Sequence, residues 1–147
     1  MTAPGSEGAI REAPLRPVRR PAIMVVDDDP SFREALVGFL EDSGVSVVGS
    51  AGDGAEAVDL AATSHPDVIL MDLRMPVMGG LEATKRIKEA HPLTQVLFLS
   101  AYDDPGLDRS AMDAGAYCYL VKGCAPRLVL DMIQQAWGFS TQSRQEG

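Results

Sequence analysis

Five short, almost wholly apolar runs punctuate the chain: AIMVV (22–26), VSVVGSA (45–51), DVILM (67–71), QVLFL (95–99) and YCYLV (117–121). Each is followed by a segment with helical spacing. No other feature constrains the fold so tightly. Strand then helix, five times with short connections, leads to a parallel sheet with helices on both faces. The runs are apolar nearly throughout, as strands buried on both sides must be. The first helix opens at Asp29, a capping carboxylate before Pro30, and carries Phe32, Leu36, Phe39 and Leu40 to a stop at Gly44. The second spans Gly54 to Ser64 and the third Gly80 to Ala90. The fourth, weaker, runs from Leu107 to Ala114, and the fifth from Pro126 to Trp137 with Gly138 as its end. His-Pro stands between a helix and a strand twice, in SHPDVIL and AHPLTQVLFL. His65 and His91 are therefore expected at helix C-termini, where a cation meets the dipole.

The flanks differ from this regular body. Residues 1–21, MTAPGSEGAIREAPLRPVRRP, are rich in Pro, Arg and Ala, lack apolar periodicity and are expected to form a disordered, solvated leader. Residues 22–138 make one domain, and 139–147 a polar C-terminal tail. No apolar run approaches the roughly 18 residues that span a bilayer, and the arginine-bearing N-terminus has no apolar signal region. The expected location is the cytoplasm. Cys118 and Cys124 form no metal-ligand spacing and read as packing residues in a reduced compartment. Net charge is −8; four arginines against two glutamates give residues 1–22 a balance of +2, which leaves −10 for the rest. So acidic a body is a poor non-specific ligand for nucleic acid, which demands clustered Lys and Arg.

Chemistry gathers where the strands end. The first run is followed by Asp27 and Asp28, the third by Asp72, the fourth by Ser100 and the fifth by Lys122. Open parallel sheets bind ligands outside the carboxyl ends of their strands. Three carboxylates so placed repel one another and either raise their pKa values or recruit a cation. Oxygen-only ligands without His or Cys favour Mg²⁺, which takes one or two carboxylates plus waters and a phosphate. Phosphoryl transfer asks mainly for positioning and charge neutralisation, and an aspartate can be its nucleophile.

VVDDDP, VILMDLRMPVMGG, LFLSAY and YLVKG resemble, in order and spacing, the signature of receiver domains of two-component response regulators, the CheY-like superfamily. The resemblance covers roughly residues 22–138. It implies a flavodoxin-like α/β fold, a five-stranded parallel doubly wound sheet in order 2-1-3-4-5 with five helices. It implies that Asp72 accepts phosphate from a phosphohistidine on a sensor histidine kinase or phosphotransfer protein. Asp28 would ligate Mg²⁺ directly and Asp27 through water, with Asp72 and the backbone carbonyl of Arg74 completing the set. Lys122 would pair with phosphoryl oxygens, Ser100 would bond the phosphoryl group in the active state, and Tyr119 would be the aromatic switch. Output would be a changed protein contact, partner binding or a homodimer, through the face of the fourth helix, fifth strand and fifth helix. The chain would be no enzyme beyond its own phosphorylation and dephosphorylation, and would bind neither DNA nor membrane. It reads as a stand-alone receiver or the receiver of a longer regulator.

Two departures from the family pattern stand out: Gly123 follows the lysine where proline is frequent, and Gly79 replaces a frequently acidic residue. Neither removes a reacting group. Arg74 and Tyr102, each two residues beyond Asp72 and Ser100, are expected to flank an attacking water and slow autodephosphorylation. Two rivals compete with this reading. Asp27 and Asp29 form a D-x-D resembling haloacid-dehalogenase-type phosphatases, but only Asp131 and Glu146 follow the lysine as acidic candidates, and Asp72 is left without a role. A phosphorylation-independent interaction module would ordinarily have lost a site residue, and none is missing.

Overall fold

The computed structural model describes residues 20–146, with side chains described through 141. Ten elements alternate along it: β1 (Ala22–Val26), α1 (Pro30–Asp42), β2 (Ser46–Ala51), α2 (Gly54–Ser64), β3 (Val68–Met71), α3 (Gly80–Ala90), β4 (Gln95–Ser100), α4 (Pro105–Asp113), β5 (Cys118–Val121) and α5 (Pro126–Glu146). The five strands form one parallel sheet in the order β2-β1-β3-β4-β5, as expected.

Why the runs are apolar throughout is visible in the packing. Ile23 and Val25 of β1, with Val68 and Leu70 of β3, face a core shared with Leu40 of α1 and Val129, Ile133 and Ala136 of α5. The intervening Met24, Val26, Ile69 and Met71 face the opposite core, with Ala57 and Ala61 of α2, Ala83 and Ile87 of α3, and Ala111 of α4. Both sides of each inner strand are thus removed from water. β2 is an edge. Its pairing jumps from Ile23↔Val47 to Met24↔Gly49, so Val48 is a bulged extra residue.

Helix boundaries follow local chemistry. Asp29 caps α1, accepting from the N–H groups of Ser31 and Phe32, and Pro30 fills the first position. Gly44, at φ 85°, closes it. His65 and His91 are the C-caps of α2 and α3. Two expectations need correction. α4 begins at Pro105, two residues early, because Asp104 caps it through the Gly106 N–H just as Asp29 caps α1. α5 does not stop at Gly138 but continues to Glu146. Packing overrides the glycine there: Ser140 is buried with its hydroxyl donating to the Leu93 carbonyl at 2.6 Å, and Phe139 lies against Tyr117. The stretch read as a polar tail is, through residue 146, helical.

Residues 1–19, most of the expected leader, lie outside the described residues; Pro21 is buried and Arg20 donates to the Gly44 carbonyl. Cys118 and Cys124 are free thiols packed against the α1–α5 core. Among the described residues no helix is long and apolar enough to cross a membrane.

Candidate functional site

The sheet's hydrogen-bond ladder runs one residue past the strands and so fixes the side chains beyond them. The Asp27 N–H donates to Ala51, the Asp72 N–H to Val26 and the Lys122 N–H to Ser100, at 3.0, 2.9 and 2.6 Å. Carboxylate oxygens of Asp27, Asp28 and Asp72 come within 4.8 Å of one another. Lys122 Nζ reaches between two of them, 2.7 Å from Asp27 Oδ2 and 3.7 Å from Asp72 Oδ2. Asp27 and Asp72 are buried, at 2% and 8% exposure, whereas Asp28 is open to solvent. Two buried carboxylates and a third beside them, with one ammonium in contact, leave negative charge unbalanced.

That imbalance shows in the titration of the site. Burial, then repulsion from Asp27, pushes the Asp72 carboxyl up to about 6, despite the opposing pull of Lys122 and the Leu73 N–H. Burial alone would lower Lys122. The hydrogen bond to Asp27 and the attraction of Asp72, Asp27 and Asp29 outweigh it, and the ammonium is held above its usual value. Asp72 Oδ1 accepts from the Leu73 N–H at 2.8 Å, which leaves Oδ2 as the less encumbered oxygen.

The loop after Asp72 is clamped at both ends by glycines. A Cβ on Gly80 would collide with the Asp72 carbonyl and lie 2.8 Å from Phe98, and the Gly80 N–H donates to Leu73 at 2.8 Å. A Cβ on Gly54, at the start of α2, would strike the Met78 carbonyl that accepts from the Gly54 N–H. Between these clamps Val77, 86% exposed, is held at φ 67°, a conformation a β-branched residue rarely adopts.

The other residues singled out in the sequence lie around this cluster. Ser100 is fully buried, its Oγ accepting weakly from the Tyr102 N–H at 3.3 Å. Tyr119, on β5, stands outside the acidic cluster; its hydroxyl donates to the Tyr102 carbonyl at 2.5 Å and its ring stacks on Phe98. The exposed Arg74 places its guanidinium 4.4 Å from the centre of the Tyr102 ring. Tyr102 thus joins Ser100, Tyr119 and Arg74. Two contributors escaped the sequence reading. Phe32 puts its ring 4.2 Å from Lys122 Nζ, and Arg33 donates to the Asp27 carbonyl at 2.5 Å. Their signal was positional, since the first turn of a helix capped at Asp29 must face the acidic pair that precedes it.

Oxygen donors alone, three of them carboxylate, suit a hard divalent cation, so the donor set fits Mg²⁺.

The response regulator receiver domain family model matches residues 23–134. The response regulator UvrY of Escherichia coli strain K12 is 38% identical over 116 residues, covering 78% of this chain and 53% of that protein. A protein-glutamate methylesterase/protein-glutamine glutaminase of Natronomonas pharaonis is 44% identical over 103 residues, 69% of this chain and 29% of its own length. Among solved structures, the signal receiver domain of the putative response regulator NarL from Mycobacterium tuberculosis is 38% identical with a TM-score of 0.74, covering 80% of this chain and 98% of that one. The chain spans about half the length of UvrY and under a third of the methylesterase.

Proposed function

The chain belongs to the response regulator receiver domain family of two-component signalling, and on that premise we propose that Asp72 is its reversible phosphorylation site. The observation that carries the reading is the placement of three carboxylates within 4.8 Å with Lys122 between two of them. Mg²⁺ would be held by Asp28, by Asp27 through water, by Asp72 and by the Arg74 carbonyl. When bound, it supplies charge neutralisation for the phosphoryl oxygens.

The chain's own groups do the rest. Asp72 Oδ2 forms the new P–O bond as the P–N bond of a phosphohistidine breaks, and the imidazole leaves with its electron pair. The Leu73 N–H holds Oδ1 and so fixes the angle of attack. Lys122 turns from Asp72 to the transferred phosphoryl oxygens while keeping Asp27. The donor is a sensor histidine kinase or phosphotransfer protein, and the place of action is the cytoplasm. Catalysis by this chain is confined to its own phosphorylation and hydrolysis; the methylesterase relative has more than twice its matched length in which to house another activity.

The Tyr102 backbone offers the switch. Ser100 Oγ leaves the weak bond from the Tyr102 N–H to meet the phosphoryl group, the loop shifts, and Tyr119 loses its anchor on the Tyr102 carbonyl. The population moves only as far as the phosphoryl group binds the two arrangements differently. The affected face, α4–β5–α5, would bind a partner or a second copy, with no DNA contact by this chain.

Incubation with acetyl phosphate and Mg²⁺ followed by intact-mass and peptide analysis tests the proposal. One phosphoryl group on Asp72, absent from Asp72→Asn, is the expected result. Modification of Asp27 instead would favour the dehalogenase-type mechanism. No modification with unchanged partner binding in Asp72→Asn would favour a phosphate-independent module.

A further inference from the structure

The Lys122 ammonium touches more than carboxylates. Its Nζ lies 2.7 Å from Asp27 Oδ2 and 3.7 Å from Asp72 Oδ2, and it also stands over the Phe32 ring, 4.2 Å from the ring centre. The negative face of an aromatic ring attracts a cation, more strongly where water is excluded. The lysine side chain is largely out of water. A short chain of contacts sets the ring there. Asp27 Oδ1 accepts from the Asp29 N–H at 2.9 Å, and the Asp29 carboxylate in turn caps α1 through the N–H groups of Ser31 and Phe32. Pro30 fixes the first helical position. The stretch DDDPSF thus carries an acid of the site, the helix cap and the ring on one stiff turn.

What the ring prevents is visible beside it. A cleft of about 270 Å³ runs between α1 and the start of α5, and Phe32 and Lys122 both line it, together with Leu36, Phe39, Gly123 and Val129. A lysine has a long flexible stem, and here it has room into which to swing. Gly123 follows at φ 98°, with nothing within 4 Å of the place a Cβ would take, so the turn beyond the lysine brings no side chain to confine it. Asp27 and Asp72 draw the ammonium toward the acidic cluster, but their hold weakens whenever they share their charge with another cation. The hold of the ring does not depend on them.

We propose that Phe32 is a positioning residue for phosphoryl transfer: its ring holds the Lys122 ammonium beside Asp27 and Asp72 and out of the α1–α5 cleft. This role rests on Asp72 being the phosphorylation site. Phe32 touches no reacting atom and acts only through the lysine. Held over the ring, the ammonium meets the incoming phosphoryl oxygens already oriented, and the entropy of fixing a long side chain is spent before the donor arrives.

Two full-length variants test it. Phe32→Leu keeps an apolar side chain for the core between α1 and α5 but removes the π face, and Phe32→Tyr keeps both. The first measurement is the rate of phosphorylation by acetyl phosphate with Mg²⁺, followed by intact mass. The expected result is a rate about five-fold lower in Phe32→Leu and close to wild type in Phe32→Tyr. The second needs neither donor nor metal. The chain has three lysines, Lys85, Lys88 and Lys122, and protons above a ring face are magnetically shielded. In proteins carrying isotope-labelled lysine, the Lys122 ε-methylene signal should move downfield in Phe32→Leu and keep its place in Phe32→Tyr, with Lys85 and Lys88 as fixed references. Equal phosphorylation rates in wild type and Phe32→Leu overturn the positioning role, as does a Lys122 signal that Phe32→Leu leaves in place. A slowed rate shared by Phe32→Tyr overturns it too, by assigning the effect to packing. A wild type that takes up no phosphoryl group removes the Asp72 reading and this role with it, whereas a labelled wild type matched by Phe32→Leu removes this role alone.

Discussion

Replacing Asp72 by Asn should stabilise the metal-free protein. Asp72 titrates at about 6 in the folded chain against 3.8 for the free side chain. Below 3.8 both folded and unfolded states hold the proton and the site contributes nothing. Between 3.8 and about 6 the folded state holds more protons than the unfolded one, so stability falls as pH rises. Above about 6 the full penalty is present, about two pKa units at 1.36 kcal/mol each, or about 3 kcal/mol. Asn keeps an oxygen for the Leu73 N–H but carries no charge. In urea at pH 7.5 with EDTA, Asp72→Asn should therefore raise the unfolding midpoint by roughly 1.5 M, given a slope of about 2 kcal/mol/M. At pH 4 the gain should shrink below about 1 kcal/mol, because the wild-type carboxyl is already protonated there. Saturating Mg²⁺ should narrow the gap at pH 7.5 by stabilising the wild type, by about 2.7 kcal/mol at a hundredfold excess over its dissociation constant, more than the variant that lacks one of the carboxylates. A midpoint in EDTA at pH 7.5 that is unchanged or lowered by the substitution would refute the electrostatic account of the site.

Other substitutions probe the loop around it. Gly80→Ala should cost about 3 kcal/mol in the same assay, since its Cβ would meet the Asp72 carbonyl and Phe98; a neutral result would show that the α3 start can recede. Val77→Gly should gain up to about 1 kcal/mol by relieving the positive φ, with no packing lost at so exposed a position; destabilisation would mean that the valine makes a contact worth more than its strain. Arg74→Ala and Tyr102→Ala, which each break the stack of guanidinium on ring, should shorten the phosphoryl half-life several-fold. Unchanged loss of label from phosphorylated protein would remove the stack from the account of hydrolysis.

The fold was legible because each inner strand is apolar on both faces, a pattern no helix of that length would carry, and because Asp29-Pro30 and Gly44 announce the limits of α1 in local chemistry. The same Asp-Pro signal at Asp104-Pro105 went unread, because the first apolar residue after it, Leu107, was itself taken as the start of the helix. The continuation of α5 past Gly138 was beyond sequence periodicity, since it depends on Ser140 finding the distant Leu93 carbonyl. At the site, the acidic residues and Lys122 were found because they directly follow strands. Phe32 and Arg33 were not, because they approach from a helix whose angle to the sheet is a tertiary property.

The bulge at Val48 bears on how copies of this domain can meet. An unpaired outer strand is an open template on which a neighbouring molecule can add its own backbone, the first step toward aggregates. The extra residue in β2 breaks the even spacing of donors and acceptors along that rim. A second molecule cannot zip onto it for more than two or three residues in step. On the β2 side, assembly is therefore steered away from sheet extension and toward contacts between side chains, which charge and ligands can reverse.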